Sequence, residues 1–404
     1  MGDAVKVAFL SATGRIGGAE RALLDLLASL RAAEPGWALH LVVLGDGPLA
    51  ERAAELGVAV HPLPLPARLA RSGDAGGGSR LALLARLAAA GPAGARWLRR
   101  LRALLRGLAP DVVHSNGFKV HAAGALALPP GARLVWHAHD FTGTRPLMAA
   151  VLRRLSTRAS AAIAVSRAVA DDLRRVCGPG LAVTVVYNAV DLARFTPDGP
   201  RADLATLAGV APEPAGTVSV GLVATMGLWK GHRVFIDAVS RLPAGLPLRA
   251  YVVGGPIYAT AGSEVDPAHL RHLIAGHGLT DRVGITGFVD RPADAMRALD
   301  VVVHASTRPE PFGLVIAEAM ACGRAVIATA AGGAAEIVDD GVDALAVPPD
   351  DPEALAAAIR RLVEDAALRA RLAAAGRAKA GRRFDRARLA AEVAPVYRAL
   401  AGGR

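Results

Sequence analysis

Between residues 5 and 347, short apolar runs of strand length alternate with longer segments of helical periodicity, and the alternation stops and restarts once. Strands that follow one another only through helices cannot close hairpins. Each returns by a crossover and lies parallel to a neighbour, so the chain is confined to open parallel sheets covered by helices. In the first half the pattern predicts strands near 5–11, 38–44, 58–63, 111–115, 132–138 and 160–165. Helices fall near 18–32, 47–56, 80–108, 118–128, 146–157 and 166–175. Val183 to Asn188 adds a strand, and the breaker-rich run Thr196-Pro197-Asp198-Gly199-Pro200 then interrupts the series. A second series opens at Thr217 and runs as helix 230–241, strand 249–254, helix 266–276, strand 282–286, helix 292–298, strand 300–304, helix 313–322, strand 324–329, helix 333–339 and strand 344–347. Helices at 351–363, 366–380 and 384–401 close the chain without a further strand. A length of 404 residues exceeds what one hydrophobic core usually supports. The expected organisation is an α/β domain over 1–188, a linker over 189–216, a second α/β domain over 217–380 and a terminal helix over 381–404.

Charge separates the two halves. Residues 1–200 carry 24 Lys and Arg against 14 Asp and Glu, whereas residues 201–404 carry 23 against 22. The excess concentrates in 68–106, with nine arginines and one acid, Asp74. Within it, Leu98, Leu101, Leu105 and Leu108 recur at helical spacing beside Arg99, Arg100, Arg102 and Arg106. Such a stripe either packs on the domain's own sheet or belongs to a basic surface that approaches an anionic membrane. The stretch Ser72 to Ser79, with four glycines, reads as a flexible loop. Nucleic-acid binding has no supporting motif, and aromatics make up only 4% of the chain. Cys177 and Cys322 stand too far apart in sequence to suggest a disulfide framework, and neither has a second ligand at metal spacing. The start of the chain reads as an immediate first strand without a leader, and no apolar run is long enough to span a bilayer. These features point to a cytoplasmic protein, with the basic segment allowing a peripheral position on the inner face of the membrane.

The densest chemical signal is Arg308-Pro309-Glu310-Pro311-Phe312-Gly313-Leu314-Val315-Ile316-Ala317-Glu318. Two carboxylates stand eight positions apart, after the apolar strand Val301-Val302-Val303 and at the start of a helix. At about 100° per residue, eight positions differ by only about 80° of rotation. Glu310 in the loop and Glu318 on the helix can therefore face one crevice beyond the sheet edge, where open parallel sheets bind ligands. A solvated surface pair is the plain alternative. Against it, Glu318 lies among Leu314, Val315, Ile316, Ala317, Ala319 and Met320, where a carboxylate needs a partner.

Read as a whole, STRPEPFGLVIAEAMACGRAVIAT followed by GGAAEIVDDG resembles the retaining glycosyltransferases of family 4, with the GT-B fold. The resemblance fixes both spacing and flanking residues from Ser306 to Gly341. It implies two facing Rossmann-like domains with the site in the cleft between them, and C-terminal helices that cross back to the first domain. It also implies that Glu310 contacts the donor sugar, that Glu318 hydrogen-bonds the nucleotide ribose, and that Phe312, Gly313 and Leu314 offer backbone N–H groups near the donor.

Other segments extend the resemblance. Gly14-Arg15-Ile16-Gly17-Gly18-Ala19-Glu20 follows the first strand and opens a helix, where glycines permit close approach and the helix end favours anions. Its spacing is not that of a dinucleotide fingerprint, and a plain strand-to-helix turn is the alternative. The resemblance turns Gly17 and Gly18 toward the donor phosphates. Lys230, in Met226-Gly227-Leu228-Trp229-Lys230-Gly231, is one of four lysines among 43 arginines and reads as a point charge for pyrophosphate. In family 4 this lysine is paired with an arginine five residues earlier. Thr225 stands there instead, leaving a positive charge for which Arg233, Arg308 and Arg15 are candidates. The strand ends Gly254-Gly255 and Gly287-Phe288-Val289 are expected beside the nucleotide, the latter at the base, and Gly332-Gly333 is expected to leave N–H groups free for the donor. His137 and His139 alternate on one strand and so share a face. A metal site is the weaker reading of this pair, which lacks a third ligand. The resemblance gives His139, with His137 in reserve, a hydrogen bond to the donor sugar.

The expected activity is retaining transfer of a hexose-type sugar from a nucleoside diphosphate sugar to an acceptor hydroxyl, in bacterial glycan, glycolipid or glycoside synthesis. His139, Lys230 and Glu310 carry the chemistry. No Asp-x-Asp is present, so the expected enzyme is metal-independent, with the nucleotide sugar as co-substrate and no cofactor. The acceptor is a sugar, a lipid-linked glycan or a small molecule. The alternatives are a nucleotide-sugar epimerase of the same fold and a non-catalytic binding partner.

Overall fold

The computed structural model describes residues 4–66, 80–256 and 264–403, with the backbone only over 80–90. The glycine-rich stretch 72–79, and with it Arg68, Arg71 and Asp74, lies outside the described residues. Two compact units emerge, one formed by 1–188 together with 386–404 and the other by 189–385.

The first unit is a seven-stranded parallel sheet built from β1 (Lys6–Ser11), β2 (Ala38–Val43), β3 (Ala59–Pro62), β4 (Val112–Asn116), β5 (Arg133–Ala138), β6 (Ala161–Ala164) and β7 (Val183–Val185), in the order β3-β2-β1-β4-β5-β6-β7. Its central strands are buried almost without interruption, as expected where helices cover both faces. The helices are α1 (Gly18–Ala33), α2 (Leu49–Glu55), α3 (Arg80–Leu108), α4 (Phe118–Ala127), α5 (Pro146–Leu155) and α6 (Arg167–Cys177). The leucine stripe of α3 turns inward: Trp97, Leu101 and Leu105 are buried, and the Trp97 indole donates to Leu63 O at 3.3 Å. Arg99, Arg100 and Arg106 remain exposed, while Arg102 reaches the Leu126 carbonyl at 2.5 Å. The centre of the stripe is therefore core, Leu98 and Leu108 are half-buried, and Arg99, Arg100 and Arg106 face solvent.

The second unit is a six-stranded parallel sheet of β8 (Val218–Val223), β9 (Leu248–Val253), β10 (Val283–Gly287), β11 (Val301–His304), β12 (Ala325–Thr329) and β13 (Leu345–Val347), in the order β10-β9-β8-β11-β12-β13. Val301, Val302 and Val303 of β11 pair with Val220, Gly221 and Leu222 on one side and with Ala325, Val326 and Ile327 on the other. Each fully buried aliphatic side chain of this kind stabilises the unit by about 1.5–3 kcal/mol. Its helices are α7 (Leu204–Ala208), α8 (His232–Ser240), α9 (Pro267–Gly276), α10 (Pro292–Ala298), α11 (Leu314–Ala321), α12 (Pro352–Glu364) and α13 (Ala366–Arg383).

The last helix, α14 (Arg388–Gly402), belongs to the first unit and packs on α1. Tyr397 of α14 is fully buried and bonds His114 Nδ1 of β4 at 2.6 Å, and Arg398 pairs with Glu34 at the end of α1. No described helix is long and apolar enough to cross a membrane.

Two segments differ from the pattern expected of them. Residues 189–216 group with the second unit and contain α7, which Asp203 caps by accepting from the Thr206 N–H and which left-handed Gly209 ends. Five residues are too few to show a helical period. The helix expected over 333–339 is only a 3-10 turn, Gly333–Glu336, because Gly332 enters it at φ +66° and its bonds run from i to i+3.

Candidate active site

In the second unit the chain builds outward from β8 to β10, then returns to place β11 on the other side of β8. Loops leaving the C-terminal ends of β8 and β11 therefore head for opposite faces, at the position where open parallel sheets hold their ligands. The two loops are stitched together. Thr307 N–H donates to Trp229 O at 2.8 Å, and Gly231 lies so close that a Cβ would stand 1.8 Å from Ala305 O. Gly231 is also left-handed, with φ +76°, so only glycine suits the position without strain.

This fit fixes Lys230, the last residue of the short 3-10 turn Leu228–Lys230. Its ammonium lies 2.6 Å from Glu310 Oε1. Ser306 Oγ donates to the same oxygen at 2.5 Å, and His304 Nε2 stands 3.8 Å from it, too far for a hydrogen bond. Glu310 is only 7% exposed. Burial pushes its carboxyl pKa up, but the Lys230 ammonium and the His304 ring outweigh burial and hold it well below the usual carboxylate range. His232, the first residue of α8, is buried next to this charge. Burial, then the Lys230 ammonium, lower its pKa to about 4, so the ring stays neutral.

The Glu310 backbone is pinned as firmly as its side chain. Its N–H donates to Ala331 O at 3.2 Å, and its carbonyl accepts from Gly333 N–H at 2.7 Å. A Cβ on Gly333 would meet Pro311 O at 2.1 Å. Gly332-Gly333 thus serves close approach to the Glu310 segment, and the Gly333 N–H expected to be free for a ligand is already bonded.

Gly313, left-handed at φ +98°, caps α11 and accepts from the Ile316 N–H at 3.0 Å. The Phe312 ring is core, packed nearly edge-on to Phe384 with centroids 5.8 Å apart, so only its backbone can meet a ligand. Glu318 lies on the same short helix and is 5% exposed. At the ends of β9 and β10, Gly254 comes within a Cβ's width of Ala224 O and donates its N–H to Gly287 O at 3.0 Å. Gly287 is left-handed at φ +72°, Val289 is half-buried, and Phe288 between them is 61% exposed.

The first unit has the same construction. Its strand order reverses between β1 and β4. Asn116, the last residue of β4, donates Nδ2 to Ala19 O of α1 at 3.1 Å and turns its Oδ1 to His139 Nε2 at 2.5 Å. An amide oxygen only accepts, so His139 Nε2 carries the proton. Burial lowers the His139 pKa to about 3. The neutral ring therefore keeps Nδ1 as an acceptor, and this atom makes no hydrogen bond within the protein. The His137 and His139 rings stand 4.0 Å apart, on one face as their alternation requires. His137 is buried behind, edge-on to His114, with its pKa pushed well below normal by burial first and then by its neighbouring histidines.

The loop before α1 is occupied by its own groups. Gly14 leaves no room for a side chain because Gly45 O would lie 2.4 Å from its Cβ, so it serves contact with the 45–47 loop rather than with a ligand. Gly17 N–H donates to Glu20 Oε2 at 3.1 Å, one half of a capping box, since glycine has no side chain to return the bond. Burial raises the Glu20 pKa. Gly18, the first residue of α1, is exposed, and a Cβ there would meet nothing within 4 Å.

Two family models match this chain: "Glycosyltransferase Family 4" over residues 16–194 and "Glycosyl transferases group 1" over 217–365. The chain belongs to glycosyltransferase family 4. Among curated proteins, it is 38% identical over 245 residues to a D-inositol 3-phosphate glycosyltransferase of Xylanimonas cellulosilytica, a match covering 59% of this chain and 56% of that protein. It is 35% identical over 313 residues to the protein of the same name from Salinispora tropica, covering 71% and 63%. The matches thus span little more than half of those relatives' lengths. Among solved structures, Anabaena HepE in complex with UDP and glucose superposes with a TM-score of 0.79 at 28% identity, covering 97% of this chain and 99% of that one. HepE in complex with UDP-glucose gives 0.77 at 28% identity over the same shares.

For this family 4 chain, the structure adds three residues to those expected from sequence. Ser306 and His304 gather at Glu310 in the second unit, and Asn116 orients His139 in the first. All three are polar residues at or just past the C-terminal end of an apolar parallel strand. That position is where such sheets place their ligands, so it was the available signal.

Proposed function

We propose that this family 4 protein transfers a hexose from a nucleoside diphosphate sugar to an acceptor hydroxyl with retention of anomeric configuration. The observation that carries the reading is the Lys230–Glu310 pair at the switch point of the second sheet, with buried Glu318 on the helix that follows. The presence of UDP and UDP-glucose in the HepE structures supports a uridine diphosphate hexose as donor. Departure of the diphosphate builds negative charge that fixed positive groups stabilise. Lys230 supplies one such charge. Arg308, exposed two residues before Glu310 in the same loop, is the nearest in sequence of the candidates for the second, which Thr225 cannot provide. Glu310 accepts from the sugar hydroxyls, Glu318 from the ribose, and the His139 Nδ1 lone pair from a sugar hydroxyl. The base lies along Gly287 to Val289, with Phe288 offering a ring face, and the Gly313-Leu314 helix start offers N–H groups to the donor. Residues 1–188 would take the acceptor.

The names of the curated relatives support D-inositol 3-phosphate as one acceptor to try. The exposed Arg99, Arg100 and Arg106 face favours a lipid-linked acceptor at an anionic membrane surface, with each basic residue contributing about 1 kcal/mol. The deciding experiment measures nucleoside diphosphate release from UDP-glucose, with and without acceptor, alongside a thermal-shift panel. Saturation at 100 times the dissociation constant adds about 2.7 kcal/mol to stability. Acceptor-dependent release is expected. Consumption without any acceptor would favour an epimerase or hydrolase, and neither shift nor release with any nucleotide sugar would leave a binding partner.

A further inference from the structure

The Lys230 ammonium, which the proposed function gives to the donor diphosphate, already holds a negative partner within its own unit. Glu310 Oε1 lies 2.6 Å away, and the carboxyl stays ionised because Lys230 and His304 outweigh the effect of burial. One ammonium carries one charge. It cannot neutralise a buried carboxylate and an arriving diphosphate together, and the two anions repel each other across it. The carboxylate also has an alternative place to go. Ser306 Oγ is already bonded to Oε1, and His304 lies at the end of β11 with both ring nitrogens making no hydrogen bond within the protein. His304 is 4% exposed, and its Nε2 faces Oε1 at 3.8 Å, about 0.6 Å beyond hydrogen-bond reach. Imidazole offers at least one N–H in any protonation state.

We propose that Glu310 is an internal competitor for the diphosphate: it holds Lys230 while the site is empty, and Ser306 and His304 receive it as positioning residues when phosphate takes the ammonium. This rests on the reading of Lys230 as the diphosphate group. The transfer needs only a side-chain rotation, because Ala331 and Gly333 pin the Glu310 backbone on both sides. It also gives the site a preference. A free nucleoside diphosphate must displace Glu310 and gains nothing from it, whereas a nucleotide sugar displaces it and then bonds the freed carboxylate. The contact thus disfavours the diphosphate product relative to the donor.

Titration calorimetry with UDP and with inorganic pyrophosphate tests this on the full chain, with thermal unfolding as the check on folding. Glu310→Gln keeps the shape and removes the competing charge. It should tighten UDP and pyrophosphate about tenfold, as expected for loss of a charge-assisted bond. The gain should vanish when Lys230→Ala is added. His304→Leu should weaken UDP several-fold, His304→Gln should restore it, and neither should matter once Glu310 is Gln. Glu310→Gln binding UDP no more tightly than the parent overturns the proposal. So does an equal gain in the Lys230→Ala background, which would mean simple charge repulsion, and so does a His304→Leu variant with parental affinity. If Lys230→Ala alone leaves UDP and pyrophosphate affinity unchanged, the functional reading itself fails.

Discussion

Replacing Gly231 by alanine tests whether backbone fit, rather than side-chain chemistry alone, sets the position of Lys230. Gly231 has φ +76° and ψ 25°, a left-handed conformation that costs a residue with a Cβ about 1–2 kcal/mol. The new methyl would stand 1.8 Å from Ala305 O, far inside the 3.0 Å that real Cβ contacts respect. Both groups are backbone, so no side chain can swing away and one of the two loops must shift. The bonds at risk are Thr307 N–H to Trp229 O at 2.8 Å and Lys230 N–H to Gly227 O at 3.0 Å, each contributing about 0.5–1.5 kcal/mol. The expected loss is about 2–4 kcal/mol, with the Lys230–Glu310 contact opened by the same displacement. Urea unfolding followed by tryptophan fluorescence reads the stability, with Trp229 reporting from the altered loop. UDP-induced thermal stabilisation reads the site. Gly276→Ala is the control: it ends α9 in the same unit with nothing within 4 Å of its Cβ, and should be neutral or stabilising by up to about 1 kcal/mol. A Gly231→Ala protein within about 0.5 kcal/mol of the parent and with an unchanged UDP response would refute the argument.

Lys230→Ala leaves Glu310 buried without its ammonium. Because the folded pKa of Glu310 is depressed, the pair's contribution is present above the unfolded carboxylate pKa of about 4.3 and is lost as pH falls below it. The stability gap between parent and variant should therefore shrink on acidification from pH 6 toward pH 3, and a gap independent of pH in urea titrations would show that the pair does not stabilise the fold. Glu318→Ala should weaken UDP binding by about 1.5–3 kcal/mol in calorimetry, since a ribose hydroxyl loses a charged acceptor, and parental affinity would remove Glu318 from the site. His139→Ala should lower turnover more than His137→Ala, and Asn116→Ala should mimic it by freeing the ring, all three with nearly parental UDP affinity; the reverse order for the two histidines would exchange their roles. Changing Arg99, Arg100, Arg102 and Arg106 to Glu should abolish salt-sensitive sedimentation with anionic vesicles, whereas equal binding to anionic and neutral vesicles at low salt would argue for a soluble acceptor.

The alternation of strand and helix was legible because parallel strands buried on both faces are continuous apolar runs, as at Val301 to Val303, and because the crossover helices carry a long enough period. The stripe of α3 was legible as a helix, but not its destination, since the same pattern suits a membrane or a sheet until Trp97 is seen bonded to Leu63. Sequence spacing placed Glu310 in the loop and Glu318 on the helix that follows. It could not show that Lys230, eighty positions away, meets Glu310, because that depends on the reversal of strand order between β8 and β11. Glycines were read with the right physics and sometimes the wrong neighbour. Gly14 and Gly333 do permit close approach, but to Gly45 and Pro311 of the same chain.

The scarcity of lysine invites a reading that the structure limits. Four lysines stand against 43 arginines, so each one retained suggests a place where a guanidinium does not suit. Lys230 fits that expectation: a compact ammonium within 2.6 Å of one carboxylate oxygen. Lys379 fits it equally well without any candidate ligand. It is buried on α13 and reaches Asp343 at 2.6 Å and Asp339 at 2.8 Å, tying the helix to the loop that follows the Gly333–Glu336 turn. A planar fork prefers paired, parallel acceptors, whereas an ammonium serves acceptors that converge on a point. Lys379 meets the second condition with two aspartates, whereas Lys230 holds a single carboxylate oxygen. The scarcity of lysine therefore does not separate binding from structure. The separation comes from position: Lys230 stands at the C-terminal edge of the sheet, at its switch point, where a displaced carboxylate has Ser306 and His304 to receive it.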